Sequence, residues 1–157
     1  MTEGLPMIDI ERARIEDLDE FVRLFEAYRA FYRCELDAAA ARSYLGARLR
    51  NGESTVFLAW QTGEAGRCAV GFTQLYPCWA SLRLAPSWVL YDLYVDASAR
   101  RSGVAQALLE RALAHARAAG ASVVTLETAV DNTPAQGLYE STGWKRDTDF
   151  YTYYYEL

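Results

Sequence analysis

The chain predicts a mixed α/β sheet, mostly antiparallel, with flanking helices and two parallel central strands. Three observations carry this. Strand-like runs at Thr55–Trp60, Cys68–Tyr76 and Trp88–Val95 follow one another with no helix between them, which implies antiparallel pairing. Trp88–Val95 and Ser122–Ala129 are joined by an Ala- and Leu-rich stretch, Gly103–Ala119. A helical crossover of that kind makes its two strands parallel neighbours. No repeat, low-complexity tract or long linker divides the 157 residues, so residues 1–157 are read as a single domain.

The elements follow in the order β-α-α-β-β-β-α-β-α-β. Met7–Ala13 alternates, with Ile8 and Ile10 facing inward. In Asp17–Arg33 the residues Leu18, Phe21, Val22, Phe25, Tyr28 and Tyr32 recur at spacings of three and four, the stripe of an amphipathic helix. Asp17 is placed to cap it, with Glu20 three residues on as in a capping box. Asp37 caps a second helix through Leu49, which Asn51-Gly52 ends. Pro77–Pro86 reads as a loop between strands. Gly120 stops the crossover helix, and His115 near its end, where the helix dipole mildly favours a cation, is read as structural or solvated. Thr133 is placed to cap a last helix, with Pro134 in its first position and Gln136 completing a T-x-x-Q box. Phe150–Leu157 reads as a final strand of bulky β-formers.

Composition narrows the classes. Apolar residues make up 52 % of the chain, which suits a globular fold, and the net charge of −5 argues against a nucleic-acid partner. The three cysteines, Cys34, Cys68 and Cys78, form no C-x-x-C, and His115 is the sole histidine, so no metal site is expected. Cysteine usage favours a reduced, cytoplasmic setting. No apolar run approaches a membrane span, and Met1-Thr2-Glu3-Gly4 lacks a signal-peptide pattern, so no membrane partner is expected.

The chemistry concentrates where Trp88–Val95 runs into Arg100-Arg101-Ser102-Gly103-Val104-Ala105-Gln106. A strand passes through a short basic turn into a helix N-terminus, whose unpaired N–H groups and positive dipole end suit an anion such as phosphate. Gly103 has no Cβ to hold a ligand off. Neither a P-loop nor a G-x-G-x-x-G motif is present.

Arg100-x-x-Gly103-x-Ala105, after Asp92-Leu93-Tyr94-Val95, resembles the acetyl-CoA signature (R/Q-x-x-G-x-G/A) of the GCN5-related N-acetyltransferases (GNAT). Downstream, Asp131-Asn132-x-x-Ala135-x-x-Leu138-Tyr139-x-x-x-Gly143-Trp144 is similar to the same family's D-N-x-x-A-x-x-L-Y-x-x-x-G-F/W segment. The match runs from about Val70 to Leu157. Gly71–Pro77 and Leu90–Val95 resemble the histone and polyamine acetyltransferase branch, although Tyr91 stands where the polyamine enzymes are acidic.

The resemblance implies a GNAT-like sheet whose two parallel strands splay around an acetyl-CoA cleft, with acetyl-CoA as co-substrate. It implies that Arg100, Arg101, Ser102, Gly103, Val104, Ala105 and Gln106 hold the pyrophosphate, and that the backbone of Leu93, Tyr94 and Val95 pairs with the pantetheine arm. Asn132 contacts the pantetheine region, and Tyr139 is the catalytic acid that protonates the leaving thiolate. The acceptor is a small-molecule amine, read as polyamine-like or otherwise cationic, and the chain is expected to be a homodimer. Tyr28, Tyr32, Tyr91, Asp92 and Glu127 are the candidate acceptor-side residues, with Asp92 and Glu127 as alternative proton acceptors. A protein lysine or N-terminal acetyltransferase is the nearest alternative, and a non-catalytic acyl-CoA-binding module a further one.

Overall fold

The structure, a computed structural model, describes residues 7–157; Met1–Gly4 lie outside the described residues. They form two compact units, one ending at Leu126 and one running from Glu127 to Leu157.

The first unit is a five-stranded sheet in the order β1-β2-β3-β4-β5, with β1 at Ile8–Arg12, β2 at Thr55–Gly63, β3 at Gly66–Ala80, β4 at Ala85–Val95 and β5 at Val123–Thr125. The first three pairings are antiparallel and β4–β5 is parallel, as the crossover required. Helix α1 spans Leu18–Phe31, α2 spans Ala38–Arg50 and α3, the crossover, spans Val104–Ala118.

The stripe on α1 buries Leu18, Phe21, Val22 and Leu24. Phe21 lies edge-on to Phe72 of β3 at 5.2 Å. Phe72 also meets Phe25 at 6.1 Å, Tyr28 at 5.7 Å and Tyr94 of β4 at 6.5 Å. Leu108, Leu109, Ala112 and Ala116 are the buried stripe of α3. Gly71 leaves little room for a side chain: a Cβ there would meet the Tyr94 carbonyl oxygen of β4 at 3.0 Å and Leu108 of α3 at 3.4 Å.

Asp37 caps α2 as read, its Oδ1 accepting from the Ala40 N–H at 3.0 Å. The start of α1 differs. A short 3-10 turn at Ile15–Asp17 precedes it, and Asp17 accepts from the Arg14 N–H instead of from the helix. Glu20 is drawn away to the sheet, accepting from the Ala69 N–H at 2.9 Å and pairing with Arg23 at 3.0 Å.

Pro77–Pro86 is not a loop. β3 runs to Ala80 and β4 begins at Ala85, so the hairpin extends past Pro77, which lies opposite Trp88. Leu84 closes the tip in the left-handed region (φ 52°). His115 takes the structural of its two readings: its ring packs on Trp88 at 4.9 Å and Phe57 at 5.7 Å. Burial there, with the nearby Arg12 and Arg111 charges, holds the imidazole below its ordinary range, against the dipole.

In the second unit, α4 spans Thr133–Ser141. Its cap is Asn132, one residue earlier than Thr133, with the side chain accepting from the Ala135 N–H at 3.3 Å. Gln136 reaches the Ala129 and Val130 carbonyls instead of completing a box. Within this unit taken by itself, residues 150–157 form no strand. No helix among the described residues is long and apolar enough to cross a membrane, and none of their His, Cys, Asp and Glu groups gathers into a metal-binding cluster.

Candidate active site

The strand-to-helix turn is built from unusual backbone. After Val95 the chain makes a 3-10 turn at Ala97–Ala99, and then Arg101 (φ 61°) and Gly103 (φ 80°) both take the left-handed region. Gly103 is the N-cap of α3, and no side chain caps that helix. The N–H groups of its first turn therefore have no intrahelical acceptor. The space beside Gly103 is open: apart from its chain neighbours and the helix's own backbone, no described residue has an atom within 4 Å of where a Cβ would lie. Ser102 donates to the Ala99 carbonyl and holds the turn closed. These residues fit a bound pyrophosphate: an uncapped N-terminus faces space that a side chain would fill.

Arg100 is exposed, yet its guanidinium is held by neighbouring groups of the chain. Its Nε donates to the Val95 carbonyl at 2.9 Å, and its guanidinium lies over Tyr94 at 5.8 Å and Phe31 at 5.7 Å. It therefore ties the turn to the end of β4 and to the last residue of α1. Arg101 is exposed. Leu93, Tyr94 and Val95 pair with Thr73, Phe72 and Gly71 on the β3 side. The ladder to β5 runs over Ser87–Val89 and Val123–Thr125, so all three residues lie beyond it.

A second cluster forms where α1 and α2 cover β3 and β4. Asp92 is 6 % exposed, and its Oδ2 accepts from Gln74 Nε2 at 2.9 Å. The Tyr28 hydroxyl also donates to this carboxylate. Burial pushes the Asp92 carboxyl above the ordinary carboxylate range, and the two hydrogen bonds only partly oppose it. Tyr28 packs on Tyr32 at 5.1 Å. Tyr91 is 67 % exposed and meets Tyr76 edge-on at 5.7 Å. The Tyr76 hydroxyl lies 2.9 Å from that of Tyr44, and burial with this contact raises its pKa far above the phenol range. Tyr28, Tyr32, Tyr91 and Asp92 are thus brought together, and Gln74, Tyr76 and Tyr44 join them unread from sequence. A Thr73-Gln74 pair inside an apolar strand is the one signal that pointed to Gln74.

In the second unit Tyr139 lies on α4, half-buried, with its ring 6.1 Å from that of Trp144, and the Trp144 backbone N–H donates to the Tyr139 carbonyl at 3.0 Å. Glu127 is the exposed first residue of that unit.

The sequence model of the acetyltransferase (GNAT) family matches residues 19–144. The chain belongs to this family. It is an N-acetyltransferase by fold and by kinship. Among GNAT relatives, the uncharacterized N-acetyltransferase YhfO of Bacillus subtilis is 38 % identical over 146 residues, covering 93 % of this chain and 95 % of that one. The crystal structure of a probable acetyltransferase superposes with a TM-score of 0.88 at 39 % identity, over 95 % of this chain and 97 % of the other. The aminoglycoside N-acetyltransferase AAC(6')-Iy, solved in complex with CoA, shares the fold at 18 % identity with a TM-score of 0.80 and full coverage of both chains.

In this GNAT chain, Gly103→Val puts a branched Cβ into the open space at the start of α3. Acetyl-CoA affinity is expected to fall at least tenfold, about 1.4 kcal/mol. Calorimetry on folded variant checks it, and unchanged affinity would place the pyrophosphate elsewhere.

Proposed function

We propose that the chain, acting as one domain over residues 1–157, moves acetyl from acetyl-CoA to a primary amine by direct attack in a ternary complex. The acceptor is a small, polyamine-like or otherwise cationic amine, as in the histone and polyamine branch. The observation that carries this is Asp92: a buried carboxylate on β4, held by Gln74 and Tyr28, next to the exposed Tyr91 ring.

The cofactor half of the reading rests on the open, uncapped start of α3 and on the kinship of the fold with a CoA-bound aminoglycoside acetyltransferase. The first-turn amides of α3, with Ser102 and Arg101, receive the pyrophosphate, while Arg100 keeps the turn in place. The backbone of Leu93–Val95 pairs with the pantetheine amides. Capping α4 occupies the Asn132 oxygen and leaves its amide nitrogen for the pantetheine.

An alkyl amine of pKa about 10.4 is mostly protonated at neutral pH and must lose a proton to attack. Asp92 takes that proton, and its burial makes it a stronger base than a solvated carboxylate. The amine nitrogen then bonds to the thioester carbon and the C–S bond breaks. Tyr139 gives its proton to the departing thiolate. Atoms and charge balance: the attacking nitrogen gives up its second proton to the tyrosinate through solvent as the neutral amide and free thiol form, and the proton held by Asp92 is released to solvent. Tyr28, Tyr32 and Tyr91 line the acceptor, where an ammonium over a ring is worth about 0.5–2 kcal/mol. Glu127 remains the alternative proton acceptor. Glu26 is paired with Arg29 and Asp37 caps α2, so Asp92 is the carboxylate this reading rests on.

The test compares kcat/KM for spermidine, a lysine-bearing histone-tail peptide and an aminoalkanol at low and moderate salt. Spermidine is expected to lead, with an advantage that shrinks as salt rises, because the net charge of −5 steers cations. Preference for the aminoalkanol, or an advantage indifferent to salt, overturns the cationic acceptor and leaves the acetyltransferase in place.

A further inference from the structure

Gln74 is fully buried in β3, at the register position opposite Asp92. The two face each other because the next pair is Leu75 with Leu90: the strand slips by one residue and Tyr91 is left out of the ladder. The Gln74 amide donates to Asp92 Oδ2 at 2.9 Å, and its own Oε1, also buried, has no hydrogen-bond partner among the described residues. A buried carbonyl left unmet is costly, because it has given up its hydrogen bond to water for nothing. Packing alone does not explain such an amide, since Leu or Met would fill the same volume without that cost. The Thr73 hydroxyl bonds the Asp92 carbonyl at 2.9 Å, so the backbone behind the carboxylate is fixed as well.

We propose that Gln74 is a positioning residue for proton transfer, holding Asp92 in place in both of its protonation states. An ionised carboxylate only accepts, and the amide NH2 is the donor it needs. A protonated carboxyl donates, and the amide, turned about its last bond, offers Oε1 to receive that O–H. Glutamine can serve both states from one position; no apolar residue can serve either.

The groups around Asp92 support this assignment. Tyr28 of α1 gives it a single hydroxyl, where the amide offers a separate donor and acceptor. Tyr44 of α2 and Tyr76 of β3 are occupied with each other, and the raised pKa of Tyr76 keeps it neutral. Arg48 of α2 lies over the Tyr44 ring at 4.9 Å and pairs with Glu53 at 2.5 Å. On β4 itself, Tyr91 is turned out against Tyr76, and Tyr94 lies under the Arg100 guanidinium. None of these groups replaces the amide.

The inference rests on Asp92 being the proton acceptor proposed above. Its test uses the full chain with the best amine of that comparison, and the variants Gln74→Met, Gln74→Glu and Asp92→Asn. Three readouts are taken: kcat against pH, acetyl-CoA affinity and the thermal midpoint. Gln74→Met keeps the volume and removes the amide. It is expected to lower kcat about tenfold and to move the acid limb of the kcat profile up by roughly one pH unit, with acetyl-CoA affinity unchanged. Gln74→Glu sets a second carboxyl beside Asp92 and should move the limb the same way, so a poorly folding Met variant does not end the test. An unmoved acid limb in either folded variant, with Asp92→Asn inactive, overturns the role of Gln74 and leaves Asp92 as the base. Full turnover by Asp92→Asn overturns the base, and the role of Gln74 with it.

Discussion

Tyr139→Phe is expected to lower kcat about 10²-fold while acetyl-CoA affinity stays nearly unchanged. The substitution removes one hydroxyl and keeps the ring. The ring packs on Trp144 at 6.1 Å, and the backbone bond from the Trp144 N–H to the Tyr139 carbonyl involves no side-chain atom. Folding and cofactor binding should therefore survive. On the proposed mechanism, what is lost is the proton source for the thiolate, which would then leave unprotonated or wait for water. Steady-state rates from thioester loss, set beside calorimetric affinity, separate the two effects. Turnover close to the unsubstituted enzyme would remove Tyr139 from the chemistry.

Phe72→Ala is expected to destabilise the protein by about 3–5 kcal/mol, the range for emptying a buried phenylalanine site. Phe72 is fully buried in β3 and touches the rings of Phe21, Phe25, Tyr28 and Tyr94. Four large neighbours on two elements cannot all move into the space it leaves, so the loss belongs toward the upper end of that range. For a domain of this size it corresponds to a fall in thermal midpoint of roughly 6–20 °C. Urea unfolding checks it, and a loss under about 1 kcal/mol would mean the aromatic cluster repacks freely. Because Tyr28 and Tyr94 flank the site, the surviving fold should also show a raised KM for amine.

What could be read from the sequence was mostly local. The Asp37 cap of α2 is set by residues within one turn of each other, and it formed as read. The parallel neighbours β4 and β5 followed from a crossover helix. The turn at Gly103 was legible because a strand, a glycine and a helix meet there in one short stretch. Errors came where a distant group won a local competition. Glu20 had a helix start to cap and a β3 amide to satisfy, and the amide took it. Thr133 and Asn132 both suit a cap, and Asn132, the stronger former, holds it. Pro77 suggested a loop, yet it is accommodated opposite Trp88 within the long hairpin. The pairing of Gln74 with Asp92 was hidden for a different reason. It depends on the register of two strands and on a one-residue slip between them, and no periodicity in either strand encodes that slip.

That slip has a consequence for how such an enzyme diversifies. Leu90 and Asp92 are two positions apart, a spacing that normally puts both side chains on one face of a sheet. Here Leu90 pairs with Leu75 and Asp92 with Gln74, adjacent residues of β3 that point to opposite faces. Tyr91, between them, belongs to neither ladder position and is exposed against Tyr76. Its side chain can therefore be exchanged without opening a cavity in the core or disturbing the buried carboxylate. A lineage can drift at this one position toward an acidic, small or apolar residue at little cost to folding. With Tyr91 on the acceptor side as proposed, acceptor specificity would be uncoupled from stability, and the two could be selected separately.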